Sequence, residues 1–152
     1  MTLVYLHDRP ELAERVSEIM FDAFGQPPHR KVYEGIVGHS LTAGKLPLAI
    51  VAMEDGVPVG TVGVWRADLL SRQDLCPWLG CLTVLPAYRG RGIAGELLQA
   101  GIRCCGELGF GSAYLFTTLE GFYEKKGWQF YETGFELDGS AQRIYRYPIT
   151  ER

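Results

Sequence analysis

The sequence predicts an α/β domain: a mixed, mostly antiparallel sheet flanked by helices, with one parallel strand pair at its centre. Three observations carry that expectation. Two apolar, branched runs, Leu46 to Met53 and Val57 to Trp65, are joined by Glu54-Asp55-Gly56, a hairpin signal that implies antiparallel pairing. A third such run, Leu79 to Leu85, leads through a helical stripe to a short strand pattern at Ala113 to Phe116, and a right-handed crossover makes those two strands parallel. The full order of patterns, β-α-α-β-β-β-α-β-α-β-β, mixes hairpins with that crossover.

Each element has its own signature. Leu3 to Leu6 reads as a short first strand, and Asp8 with Glu11 resembles a helix-starting cap in which Pro10 is tolerated. Leu12, Val16, Ile19, Met20 and Ala23 form the apolar stripe of the helix that follows, which Gly25-Gln26-Pro27-Pro28 ends. A second helix is expected from Arg30 to Ala43, with Val32, Ile36, Val37 and Leu41 on one face and Gly44 as its stop. Its polar side, with His29, Glu34 and His39, is either solvated surface or part of a substrate mouth.

After the hairpin, Ala67 to Asp74 is polar and irregular and leads through Pro77-Trp78 into the central strand, which Pro86 stops. Ile93, Leu97, Leu98, Ile102, Cys105 and Leu108 then mark one face of a helix ending at Gly109. Beyond the strand at Ala113 to Phe116, Leu119 to Lys126 reads as a short helix capped by Gly127. Trp128 to Phe135 and Arg143 to Ile149, separated by Asp138-Gly139, close the chain as a strand pair.

A chain of 152 residues is expected to form a single domain, residues 1–152, with a core large enough to need neither metal nor disulfide. No apolar run approaches a membrane span and the first residues lack a secretory pattern, so the expected setting is cytoplasmic, with no membrane partner. Eighteen acids against fifteen bases give a formal charge of −3, which disfavours nucleic acid and mildly favours cationic partners. Cys76, Cys81, Cys104 and Cys105 show no metal-ligand spacing and read as reduced thiols.

The turn between the central strand and its helix carries the clearest chemistry. In Arg89-Gly90-Arg91-Gly92, two glycines permit positive φ and close approach, so several backbone N–H groups can point at one anion at a helix N-terminus. Arg89 and Arg91 add positive charge. A Walker loop would need Gly-Lys-Ser/Thr, and no lysine stands here. Gly90-Arg91-Gly92-Ile93-Ala94-Gly95 matches G-x-G-x-x-G. Four residues, however, separate it from the strand, and the next strand pattern offers no acid for a ribose.

The segment Val84-x-Pro86-x-Tyr88-Arg89-Gly90-x-Gly92-Ile93-Ala94 resembles the acyl-CoA pyrophosphate loop of the GNAT N-acetyltransferase family, Arg/Gln-x-x-Gly-x-Gly/Ala, with Arg89, Gly92 and Ala94 at the three defining positions. Phe122-Tyr123-Glu124-Lys125-Lys126-Gly127-Trp128 is similar to the same family's Tyr-Glu-Lys-x-Gly-Phe/Trp segment. The resemblance implies the GNAT acyltransferase fold, with a splayed central pair of strands. It implies acetyl-CoA as co-substrate, held without metal by the backbone of Arg89, Gly90, Arg91, Gly92, Ile93 and Ala94. The free edge of Leu82, Thr83 and Val84 would hold the pantetheine arm. It also implies Tyr123 as general acid, against the plainer reading of a core aromatic.

The acceptor implied is a small-molecule or peptide amine, approaching between the Arg30–Ala43 helix, the Ala67–Asp74 loop and the closing strands; a homodimer is compatible with the resemblance. The general base stays open. Many relatives use a glutamate on the central strand, and none stands between Pro77 and Leu85. Cys81 is a poor chemical match, and Asp74, Glu34 and His39 would have to act through water. A chain without a base also fits a second reading, a non-catalytic acyl-CoA-binding sensor module.

Overall fold

The computed structural model describes residues 1–150. Seven strands form one sheet in the order β1-β2-β3-β4-β5-β7-β6, where β1 is Thr2–Tyr5, β2 Leu48–Glu54, β3 Val57–Trp65, β4 Trp78–Val84, β5 Ser112–Thr117, β6 Gln129–Phe135 and β7 Ala141–Pro148. Every neighbouring pair is antiparallel except β4 with β5. The helices are α1, Ala13–Phe24; α2, Arg30–Gly38; and α3, Ile93–Glu107, the crossover between β4 and β5. No helix among the described residues is long and apolar enough to cross a membrane.

The sheet is covered on both faces. On β2, Leu48, Ile50 and Ala52 pack with Leu97 and Leu98 of α3, while Ala49, Val51 and Met53 pack with Val16 and Met20 of α1 and Val37 of α2. A strand buried on both faces reads as an unbroken apolar run, which is why Leu46 to Met53 shows no polar alternation.

Three expectations need correction. The second helix ends at Gly38 rather than Ala43: Ser40 Oγ donates to the Ile36 carbonyl at 2.8 Å, and the backbone N–H groups of His39 and Ser40 turn back onto Gly35 and Val37. This local closure leaves no helical segment near Gly44. The short helix expected at Leu119 to Lys126 does not form. Gly121 takes φ +84, which breaks a right-handed helix, and only Glu124–Lys126 make a single tight turn before Gly127 at φ +90. Finally, Asp8 caps nothing; a 3₁₀ turn over Pro10–Leu12 leads directly into α1.

What positions the site is the parting of β4 from β5. Their ladder consists of one pair, Trp78 with Tyr114, where the Tyr114 N–H reaches the Pro77 carbonyl at 3.0 Å. β5 then follows β7 for its whole length, while β4 stays on β3. A bulge helps turn β4 away. The β3–β4 register shifts between Thr61 and Gly63, so Cys81 and Leu82 stand opposite one residue, and Cys81 takes φ +52, a left-handed conformation unusual for a residue with a side chain. Thr61 Oγ1 donates to the Cys81 carbonyl at 3.0 Å and pins the bulge.

Gly63 and Gly80 face each other across β3 and β4, and the buried Trp65 indole lies over both. A Cβ at Gly63 would fall within the ring. Gly63→Ala is therefore expected to destabilise the protein by about 1–3 kcal/mol, read as a lowered midpoint in urea unfolding. An unchanged midpoint would mean that the indole has another place to go.

Candidate active site

Below the parted strands, a groove of about 430 Å³ is lined by Leu82, Thr83, Val84, Tyr88, Arg89, Gly90, Gly92, Ile93 and Ala94, together with Tyr123 and Lys126 from the far side. The structure thus brings together the expected donor residues, apart from Arg91. That side chain turns back, its guanidinium 5.1 Å from the Tyr88 ring centre. Arg89 also serves the fold, since its Nε donates to the Val84 carbonyl at 3.0 Å and clamps the end of β4 to the turn.

The turn suits an anion for a local reason. Gly90 and Gly92 take φ +78 and +79, and a Cβ on either would meet nothing within 4 Å. Their requirement is conformation, and the space in front of them is open. Gly92 is the N-cap of α3 and no side chain caps that end. The N–H groups of its first turn are left for a ligand.

Tyr123 is set by the segment that failed to become a helix. Its carbonyl accepts from the N–H groups of Lys126 and Trp128 at 3.0 and 3.1 Å. Glu124, the next residue, is anchored to β7 through Tyr145, whose hydroxyl donates to Glu124 Oε1 at 2.5 Å. The Tyr123 ring packs against Trp128 and Tyr145 with centroids 6.2 and 5.9 Å apart. Burial raises its phenol above the ordinary value, so at neutral pH this group holds its proton. Lys126 also enters the donor groove. In the Tyr-Glu-Lys-x-Gly pattern it stands at the unspecified position, so the sequence carried no signal for it.

On the other side of the V lies a second cavity of about 550 Å³, lined by Leu79, Gly80, Cys81 and Leu82 of β4 and by Leu115, Phe116 and Thr117 of β5. Phe24, Tyr33, Asp68 and Glu136 complete its walls. Leu82, Leu119 and Tyr123 border both cavities.

None of the distant base candidates takes part in this lining. Asp74 is exposed and paired with Arg72 at 2.9 Å, which holds its carboxyl below the usual range, while Glu34 and His39 face solvent. Cys81 does line the cavity, but desolvation, reinforced by the charge of Asp68, pushes its thiol up to about 12. It stays neutral at physiological pH. The titratable group that sequence reasoning passed over is Asp68, raised to about 7 by desolvation and, secondarily, by Glu136. Only its place in the Ala67–Asp74 loop hinted at it.

A family model described as Acetyltransferase (GNAT) family matches residues 10–135. No curated protein matches the sequence. Among solved structures, the aminoglycoside 6'-N-acetyltransferase from Enterococcus faecium superposes with a TM-score of 0.77 at 16% identity, over 100% of this chain and 99% of that one. The NatC complex bound to Gag peptide and CoA gives 0.70 at 21%, over 99% and 100% of the two chains. A GNAT family acetyltransferase from Brucella melitensis in complex with acetyl-CoA gives 0.65 at 23%, over 99% and 90%. At these identities the likeness is one of fold, and it extends along essentially the whole chain. Since the family match itself runs through both helical layers to the end of β6, the chain belongs to the GNAT family and is an acetyl-CoA-dependent acetyltransferase.

Proposed function

We propose that this protein moves the acetyl group of acetyl-CoA to a primary amine by direct attack, with Tyr123 protonating the departing thiolate. The observation that carries the reading is the shared border of the two cavities. A thioester reaching from the Arg89–Ala94 turn along Leu82, Thr83 and Val84 arrives where Leu82 and Tyr123 meet the second cavity. An amine in that cavity would meet the carbonyl from the other side.

The roles follow from the chemistry at each position. Backbone N–H groups at the start of α3 hold the pyrophosphate. Edge groups of β4 that lack a partner on β5 hold the pantetheine arm and polarise the thioester carbonyl as charge develops on its oxygen. Tyr123 supplies the proton. From a phenol to a thiolate of pKa about 8.5 the transfer is uphill by at least about 2 kcal/mol, a cost that positioning offsets.

Acetyl-CoA turnover across a panel of amines, alcohols and thiols tests this reading. Free thiol should be released with small primary amines or amine-bearing peptides, accompanied by an N-acetyl product identified by mass. Turnover confined to hydroxyl or thiol acceptors would overturn the amine assignment. Binding of acetyl-CoA without turnover of any acceptor would make the chain an acyl-CoA-binding module.

A further inference from the structure

The acceptor cavity holds two carboxylates, Asp68 and Glu136, and among the described residues neither forms an ion pair with a basic group. Asp68 hangs from the loop after β3, and a Cβ on Gly80 would come within 2.9 Å of its Oδ2. The carboxylate therefore lies against β4, two residues before Leu82. It is exposed to the water of the cavity, and among the described residues it has neither ion pair nor side-chain hydrogen bond. Neither of the nearest cations in sequence pairs with it. Arg72 binds Asp74 and Glu132 at 2.9 and 3.1 Å, and Arg66 is exposed and forms no ion pair with Asp68 among the described residues.

Glu136 enters the same cavity from the end of β6. The loop is docked there: Leu69 is buried against Gly134, and the Phe135 N–H donates to Ser71 Oγ at 2.9 Å. Gln142 Nε2 donates to Glu136 Oε2 at 3.1 Å, a neutral donor that orients the carboxylate without cancelling its charge, while Ser140 Oγ, 3.0 Å from the same oxygen, lies closer to Asp138 Oδ1 at 2.6 Å. The other titratable groups acting with Asp68 are Tyr33 of α2 and Cys81 of β4. Burial raises each to about 12, with the Asp68 charge contributing to both and Cys81 also to Tyr33, so both stay neutral.

Resting on the acetyl transfer proposed above, we infer that Asp68 binds the acceptor's ammonium against β4 and takes its proton before attack, while Glu136 selects small acceptors that carry a second positive charge. An ordinary aspartate is more than six units too acidic to deprotonate an ammonium of pKa about 10.4 efficiently; a carboxylate near 7 halves that gap and is still mostly ionised at pH 8.

The step balances without a further reactant. R–NH3⁺ gives one proton to Asp68, and the free amine forms the C–N bond at the acetyl carbonyl carbon. The C–S bond breaks, the thiolate takes the Tyr123 proton, and the proton remaining on the acylated nitrogen goes to the Tyr123 oxygen. Asp68 then releases its proton to water, leaving amide, thiol and one proton.

The test compares kcat/KM for straight-chain α,ω-diamines of three to six carbons with that for monoamines of matching length, in wild type, Asp68→Asn and Glu136→Gln. Wild type should favour the best diamine by about tenfold, the scale of one charge-assisted hydrogen bond. Glu136→Gln should erase that preference, and its monoamine profile should level off at a lower pH than that of wild type, because the Glu136 charge helps to raise Asp68. Asp68 must be ionised to act, so wild-type kcat/KM should rise with pH up to about 7 and then level off. Asp68→Asn should lose about 10²-fold with both amine types, and its kcat/KM should keep climbing toward the amine's own pKa. Acetyl-CoA affinity, measured by calorimetry, should hold in both variants; Asp68→Ser replaces the asparagine variant if that one does not fold.

Equal wild-type rates for diamines and monoamines would overturn the Glu136 assignment, and a levelling near pH 7 that survives Asp68→Asn would overturn that of Asp68. In both cases acetyl transfer itself would stand. No turnover of any amine, with acetyl-CoA still bound, would remove the transferase reading and this inference with it.

Discussion

Replacing Gly92 with aspartate is expected to abolish acetyl-CoA binding, raising Kd by about 100-fold or more. Gly92 caps α3 with φ +79 and no side chain, so the first-turn N–H groups behind it are unclaimed. An aspartate there places a carboxylate where the pyrophosphate would sit. It competes for the same donors and repels the incoming charge. The backbone conformation is not the obstacle, because Asp and Asn tolerate the left-handed region better than other side chains. Gly92→Asn, of nearly the same shape but neutral, is the control and should lose much less affinity. Calorimetry on the folded variants decides the matter. Undiminished affinity in Gly92→Asp would mean that acetyl-CoA is held elsewhere.

The second large effect is expected at Tyr123. Tyr123→Phe should lower kcat by about 10²-fold and leave KM and acetyl-CoA affinity near their wild-type values, the pattern of an interaction made only in the transition state. The substitution removes one hydroxyl that has no hydrogen-bond partner among the described residues, and the ring contacts with Trp128 and Tyr145 remain. The fold should therefore hold. A general acid acts while protonated and burial raises this phenol, so the wild-type rate should not fall on Tyr123's account until the pH exceeds an ordinary tyrosine's value of about 10. Wild-type kcat in the phenylalanine variant, with chemistry limiting turnover, would leave Tyr123 as a packing residue and assign the proton to water.

The strand and helix order was legible because it depends on consecutive residues. Periodicity placed α3 at its observed start, Ile93, and of the hairpin signal Glu54-Asp55-Gly56 the last two residues form the turn between β2 and β3. The same locality explains what went wrong. The apolar spacing after Leu119 fits a helix, but it does not reveal that Gly121 is needed at positive φ, nor that the Glu124 carboxylate is held by Tyr145 from β7. The sequence pattern sets Tyr123 on a short helix, whereas the structure sets it in the turn before Glu124–Lys126, at the border of the two cavities.

By itself, the sequence determined the turn that we propose holds the donor. Its features are a strand end, two glycines and an uncapped helix start, all within a dozen or so residues, and such a turn carries its anion-binding geometry wherever it is placed. In the cavity proposed for the acceptor, the Ala67–Asp74 loop was already indicated by the family resemblance, but which of its side chains enter was decided by tertiary structure. Inserting β7 between β5 and β6 carries the end of β6 to the Ala67–Asp74 loop, and only that docking sets Asp68 and Glu136 in one cavity. The splay depends on a left-handed Cys81, a conformation that no residue type at that position announces. Charges far apart in the chain interact only through the distance that folding sets between them, and the desolvation that raises Asp68 comes from the walls of the cavity that it lines. Neither quantity exists until the sheet is assembled.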